Sequence, residues 1–435
     1  MNKERIATVF LIVLTNTIGA TVILPMLPLY VEKQFGASPL QATLVIAAFY
    51  AAQILAAPWL GKLSDRFGRR PILILSQVGT LVAYLMFFFA PQLGAGLERV
   101  GLALGMSGGL GAIYLARILD GLTGGNVSVA EAYASDISDA KSRTQALGLI
   151  GGAIGVGHIL GPALAAILSG ISLLAPIVGA AVMSAVTLLL TIVLLEETLT
   201  PEKRTAAKST PAAPSIRHLI SRRPVALILA TAFVIGLYMA AVMASFALYA
   251  ERALFPNQPP EVVAQNAGVM IVVMGLGVAV SQMLLVGPLV KRLGEQVVVI
   301  LGGGLLIVSA IGFGSATSAT TAALPILAYA LGYSISWPSL QSLMTRFGSK
   351  ETVGRLLGLF QSAFSLALIL APIAAGLLIE QMGPRAVFYN GAWLMGFATL
   401  LAVVLAHMDL PNRDGTPIAH VAEAEPQNFL KRFHH

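Results

Sequence analysis

The sequence predicts an all-α membrane protein with twelve transmembrane helices in two six-helix repeats. Three observations carry that prediction. Hydrophobic residues make up 57% of the 435-residue chain and charged ones only 11%, against roughly a quarter charged in a soluble protein. Apolar runs of about 20 residues, enough to cross a hydrocarbon layer, recur from end to end. The two halves also echo each other, with "GKLSDRFGRR" at 61 returning as "GPLVKRLGEQ" at 287. Likewise "GLIGGAIGVGHILGPALAAIL" at 148 returns as "GLFQSAFSLALILAPIAAGLL" at 358, with Pro162 matched by Pro372. Parallel six-span repeats around a central pathway are transporter architecture.

The spans are placed at 6–30, 40–60, 71–91, 109–135, 145–169 and 172–195 in the first half. Those of the second half are placed at 225–250, 265–289, 297–316, 321–345, 354–379 and 386–407. The first run follows a charged start but far exceeds a signal h-region of roughly 7–15 residues, so it is read as a retained span. The domains are accordingly an N-terminal bundle (1–196), a linker (197–223), a C-terminal bundle (224–408) and a polar tail (409–435). The linker is polar, basic and proline-containing. Within it, Ile216, Leu219 and Ile220 against Arg217, Arg222 and Arg223 suggest a short surface-lying helix.

The formal charge of +7 would suit a nucleic acid partner, but its distribution suits membrane orientation. With the N-terminus inside, cytoplasmic segments hold 22 of the 27 lysines and arginines. Both termini are therefore expected in the cytoplasm. The absence of cysteine excludes disulfides and thiolate chemistry. There is no nucleophile elbow, P-loop or zinc spacing. An enzyme, a cofactor and a metal site are not expected, and energy would come from an ion gradient.

The loop between spans 2 and 3 concentrates charge, five of ten residues in 61–70. Gly61-x-x-x-Asp65-Arg66-x-Gly68-Arg69-Arg70 resembles the signature loop of the major facilitator superfamily. Arg117-x-x-x-Gly121 in span 4 resembles the second motif of that family. Gly148-x₈-Gly157-x₃-Gly161-Pro162 in span 5 is similar to the motif of its drug:proton antiporters. "AYASDISD", "SQMLLVGPLVKRLGE" and "PSLQSLMTRF" extend the likeness, which covers nearly the whole chain, to bacterial tetracycline and multidrug efflux transporters. The resemblance implies a monomer in the bacterial inner membrane that exports lipophilic, drug-like molecules in exchange for protons. It also implies that Asp65 faces the N-terminal end of span 11 in one transport state, and that Arg69 pairs with Asp136. The plain alternative for this loop is a topological anchor.

Span 5 reads as a glycine rail, with Gly148, Gly152, Gly155 and Gly161 allowing another helix to approach. Pro162 frees the His158 carbonyl and makes a bend point. His158 is either a proton carrier or a neutral, hydrogen-bonded residue. Span 4 holds most of the intramembrane charge. Arg117, Gly121, Gly124, Ser128, Glu131 and Ser135 share one helical face, with Asp120 one turn from Arg117. Asp120 is either a proton-exchanging carboxylate tuned by Arg117 or its neutralising partner. Glu131 is a second proton-coupling candidate, or simply a partner for Lys62 or Arg69.

Asn16 departs from the family pattern, standing where many relatives carry a buried acid. An amide cannot take up a proton, so a preference for neutral or zwitterionic substrates is expected unless Glu131 or a substrate-bound metal supplies the charge. The other binding candidates are Gln53, Tyr238, Gln282, Tyr333, Trp337 and Gln341, whose plain alternative is core or interface packing. Two rival readings stay open: a metabolite carrier or uncoupled uniporter of the same fold, and a membrane sensor that does not transport.

Overall fold

A computed structural model describes residues 3–100, 107–124, 126–138, 142–198, 220–348, 352–408 and 410, and every described element is helical. Span 1 is α1 (Lys3–Val22) followed by a short α2 (Leu27–Phe35), which has a proline in its first turn and closes on left-handed Gly36. Span 2 is α3 (Pro39–Phe67), started by a capping box in which Ser38 and Gln41 satisfy each other's backbone N–H groups. Span 3 is α4 (Arg69–Phe88), and a further helix, α5 (Ala90–Arg99), follows it.

Span 4 corrects the sequence reading. Instead of one helix over 109–135 it is two, α6 (Gly108–Thr123) and α7 (Asn126–Asp136). The physical reason is the Gly124–Gly125 pair, two adjacent residues of low helix propensity. Gln53 of span 2 donates its side-chain amide to the Gly124 carbonyl at 3.0 Å. The broken helix end is therefore satisfied from α3.

Spans 5 and 6 are α8 (Arg143–Ser169) and α9 (Ala175–Leu194). In the second half, span 7 is α10 (Arg223–Tyr249), extended by a π-helical turn at Ala250–Leu254. Span 8 is α11 (Pro260–Leu284), followed by α12 (Val286–Leu293). Spans 9 to 12 are α13 (Glu295–Ser315), α14 (Ala319–Thr345), α15 (Val353–Met382) and α16 (Arg385–Ala406). Eleven described helices are long and apolar enough to cross a membrane, and the twelfth span is the divided one. Large apolar side chains such as Trp59, Met283 and Trp393 lie on the outside, as a lipid-facing surface requires. The proposed linker helix lies almost wholly outside the described residues, as does the tail beyond Met408 apart from Leu410.

Each half is built alike. Span 4 touches spans 1, 2, 3 and 5, and span 10 touches spans 7, 8, 9 and 11. The halves meet through spans 2 and 11 and through spans 5 and 8. Spans 4 and 10 are thus each flanked by the two helices that reach the other half.

Candidate functional site

Two faces can be told apart: a loop face carrying residues 61–70, and a far face carrying residues 36–38 and 383. The loop forms because Gly68 takes a backbone (φ +114°) that other residues rarely adopt. A Cβ there would also run into the Glu197 carboxylate. Glu197 accepts the backbone N–H groups of Arg69 (3.0 Å) and Arg70 (3.1 Å), capping span 3 with a negative charge where the helix dipole favours one. Arg69 is buried and spreads its guanidinium over Asp65 (Nη1–Oδ1, 2.6 Å), Ser64 (2.7 Å) and Asp136 (Nε–Oδ2, 3.1 Å). Arg70 donates to the Ile192 carbonyl at 2.8 Å, and Arg66 lies over the Phe67 ring. Gly61 has open space around it. Asp65, mostly exposed, is held by Arg69 of its own loop.

The second half repeats this construction with the charges inverted. Gly294 has the same left-handed turn (φ +80°). The residue after it, Glu295, is buried and paired with Arg346 at the end of span 10, and accepts Ser342 at 2.7 Å. Arg69–Asp136 and Glu295–Arg346 are therefore corresponding bridges, cation-to-anion in one half and anion-to-cation in the other. Glu197 and the Glu295–Arg346 bridge were missed by sequence reasoning. The "EE" ending span 6 and the "GE" aligned with "GR" were the available signals.

The far face is closed. Ala166 abuts Gly268 between spans 5 and 8, and Gly376 fits against Pro39, Leu40 and Thr43 between spans 11 and 2. Glu380 accepts the Ser38 hydroxyl at 3.0 Å across the same seam. Arg252 grips both oxygens of Glu32 at 2.8 Å, and Lys33 pairs with Glu251. Consecutive Glu251 and Arg252 both reach the first half from the π-helical turn, a device frequent at functional sites.

Toward the loop face the halves part, and Gly148, Gly151, Gly152, Gly155, Gly354 and Gly358 have nothing within 4 Å of a built Cβ. This corrects the rail. Gly148, Gly152 and Gly155 stand in open space, and the glycines in close contact are Gly157 against Thr17 and Gly161 against Thr21. Thr21 also donates to the Gly157 carbonyl at 3.1 Å. The helix runs on through Pro162. His158 is exposed, its Nδ1–H donating to the Ile154 carbonyl at 2.9 Å.

Arg117 and Asp120 are sealed in the seam of spans 2, 3 and 4, 1% and 3% exposed. Their ion pair is 2.8 Å long, and the Phe49 ring lies 4.2 Å from the guanidinium carbon. The Arg117 Nε has no hydrogen-bond partner among the described residues. Gly121 lets α6 lie directly on the backbone of α3 at Phe49. Glu131 is exposed on α7 and makes no ion pair among the described residues. Of the two partners expected for it, Lys62 and Arg69, Arg69 is taken by Asp65 and Asp136.

Asn16 is half-buried between Thr15, which receives the Thr187 hydroxyl at 2.9 Å, and Thr17, which packs on Gly157. Tyr238 is fully buried inside the second bundle, within 3.4 Å of the Ser309 hydroxyl. Tyr333 and Trp337 belong to a ring ladder that runs from Tyr329 to Phe360 and Phe364. Gln282 is exposed and Gln341 half-buried.

Two six-span bundles, joined at one face and parted at the other around charged and polar inner helices, define a multi-pass membrane transporter. The chain belongs to the Major Facilitator Superfamily, whose family model matches residues 9–360 and 264–433. Its family is one of transporters, not enzymes. It is 29% identical to the class C tetracycline resistance protein of Escherichia coli, covering 90% of this chain and 93% of that one. It is 28% identical to the class H protein of Pasteurella multocida (97% and 100%) and 26% to multidrug resistance protein 2 of Bacillus subtilis (87% and 90%). Among solved structures, the human organic anion transporter MFSD10 (TETRAN) superposes with TM-score 0.63 at 24% identity, covering 92% of this chain and 99% of that one.

Proposed function

We propose that the protein exports lipophilic, drug-like molecules of the tetracycline or multidrug type in exchange for protons. It works by alternating access, as a monomer in a bacterial inner membrane with both termini cytoplasmic. The observation that carries this reading is the far-face closure opposite an open loop face, with a buried carboxylate in the bundle between them. Asp120 is the proton site in this reading. Among the described residues its ion-pair partner is Arg117, so a proton there would strand a buried cation and favour rearrangement of the spans around it. The charge asymmetry of the loops supports the orientation, and the likeness to tetracycline resistance proteins supports the substrate class.

Inverted membrane vesicles carrying the full chain test the proposal. Tetracyclines and lipophilic dyes should accumulate under an imposed pH gradient and leak back when it is collapsed. Downhill movement indifferent to the gradient would establish an uncoupled uniporter instead. No movement of any compound, with the protein inserted, would favour the sensor reading.

A further inference from the structure

Span 2 has three distinct sides as it nears the loop. Ala52, Ala56, Leu60 and Ser64 recur every fourth residue and are buried against the first bundle. Leu40 and Thr43 meet Gly376 of span 11. Gly61, about five helical turns beyond Thr43, lies on that same side, and Asp65 is one turn further. The third side carries Leu55, Trp59, Lys62 and Arg66, whose spacings of four, three and four align them in one stripe. Leu55 is 70% exposed and Trp59 73%, and Lys62 and Arg66 are exposed as well. Large apolar side chains left uncovered on a spanning helix face lipid. From Leu55 to Arg66 the helix rises about 16 Å, close to the depth of one leaflet of hydrocarbon.

Along this stripe the chemistry runs from aliphatic to indole to two cations, the order in which a phospholipid runs from acyl chain to headgroup. We infer that the stripe is a binding site for an anionic phospholipid in the leaflet at the loop face. Lys62 and Arg66 hold the phosphate and the headgroup charge, Trp59 sits at the interface, and an acyl chain lies along Leu55. The pairing inside the loop leaves these two cations for the lipid. Arg69 is shared among Asp65, Ser64 and Asp136, and Arg70 donates to the Ile192 carbonyl. Lys62 and Arg66 make no ion pair among the described residues. Arg66 instead lies over the Phe67 ring, which is itself 51% exposed. Two cations one turn apart favour a headgroup of net negative charge over a zwitterionic one. The second half is not equipped in the same way. In register, Leu285 replaces Trp59 and Pro288 replaces Lys62, so Arg292 has no cation one turn before it.

Quenching of tryptophan fluorescence by phospholipids with brominated acyl chains tests this on the full chain in nanodiscs. The chain has three tryptophans. Trp337 is 8% exposed, so Trp393→Phe leaves Trp59 as the lipid-facing indole. In that background brominated phosphatidylglycerol should outcompete brominated phosphatidylcholine at Trp59 by about fivefold or more. Adding Lys62→Gln and Arg66→Gln should bring the ratio close to one. Quenching by phosphatidylcholine should persist there, which reports a folded, inserted chain. Lys291→Gln with Arg292→Gln should leave most of the preference in place. Equal quenching by the two lipids before the loop is changed, or a preference that survives in the folded Lys62, Arg66 double variant, overturns the inference. So does an equal loss in the Lys291, Arg292 variant, which would mean diffuse attraction to the total charge of the loop face. If the Lys62, Arg66 double variant does not fold, Lys62→Gln alone decides. It should lower the ratio about two- to fivefold, and an unchanged ratio refutes the site. The measurement uses neither substrate nor gradient, so its outcome is separate from that of the export reading.

Discussion

Glu380, near the end of span 11, accepts the hydroxyl of Ser38 at 3.0 Å and lies 3.4 Å from the Leu40 backbone nitrogen. A carboxylate of the second half thus sits at the N-terminus of span 2, where the helix dipole welcomes negative charge. The family resemblance expects Asp65, at the other end of span 2, to do the same for span 11 when the loop face closes. In this structure Asp65 is instead turned to Arg69. One acid per face would then hold spans 2 and 11 together, each in its own state.

Glu380→Gln should therefore loosen the far face. The chain has no cysteine, so an Ile159→Cys, Gly275→Cys pair, placed where a Cβ at 275 lies 3.5 Å from Ile159, reports that closure by disulfide formation. Crosslinking should slow about two- to fivefold in Glu380→Gln, the order expected for one helix-end charge. An unchanged rate removes Glu380 from the closure.

At the loop, Asp65→Asn should leave expression and insertion intact while strongly lowering transport. Arg69→Ala should do the same, with added instability because it also orphans Asp136. Exchanging charges, Arg69→Asp with Asp136→Arg, should restore part of the activity. The Glu295–Arg346 bridge already has that inverted order. Normal transport by Asp65→Asn would reduce the loop to a topological anchor.

For the buried pair, Asp120→Asn should abolish gradient-driven accumulation but spare downhill exchange if Asp120 carries the proton. If it only neutralises Arg117, the single change should instead cost about 3–5 kcal/mol of folding stability. The Arg117→Leu, Asp120→Leu double variant should then recover expression. Recovery of coupled transport in that double variant would eliminate Asp120 as the proton site.

Gly68→Ala should destabilise the protein by about 1–3 kcal/mol, from left-handed backbone strain. The added methyl group would also displace Glu197 from the start of span 3. Thermal unfolding in detergent checks the stability. Limited proteolysis at the linker checks the capping: Glu197→Gln should show a smaller loss of the same kind.

The spans and the repeat were legible because lipid leaves a chain few options: apolar runs of fixed length, and charges confined to their ends. The Arg69–Asp136 bridge was legible too, through the resemblance. What was not legible depended on contacts between distant segments. Glu197 reads as the first linker residue, yet it caps a helix 128 residues earlier in the chain. Gln53 looked like a substrate contact, and its amide closes the broken end of α6. Tyr238 looked like a cavity aromatic, and its ring fills the space left by Gly391 inside the second bundle. The break in span 4 was written in two adjacent glycines, which the helical face drawn through Gly124 passed over. The glycine rail was misread for a related reason. Small residues permit close approach without showing which face is in contact in a given conformation.

The divided fourth span also bears on how the chain is made. Its α7 has 11 residues, too few to cross a bilayer, and its α6 has 16 and contains Arg117 and Asp120. Each such charge opposes insertion by about 2.5–3.5 kcal/mol at a helix centre. This segment is therefore a poor substrate for lateral release from the translocation channel by itself. Spans 2 and 3 are synthesised before it and supply the Phe49 ring beside Arg117 and the Ser76 hydroxyl that donates to the Thr123 carbonyl at the end of α6. Biogenesis of the first bundle is then ordered, with span 4 entering the membrane against partners already in place. A truncated chain ending after α7 should integrate, whereas the isolated segment 107–138 fused to a reporter should be translocated or left behind.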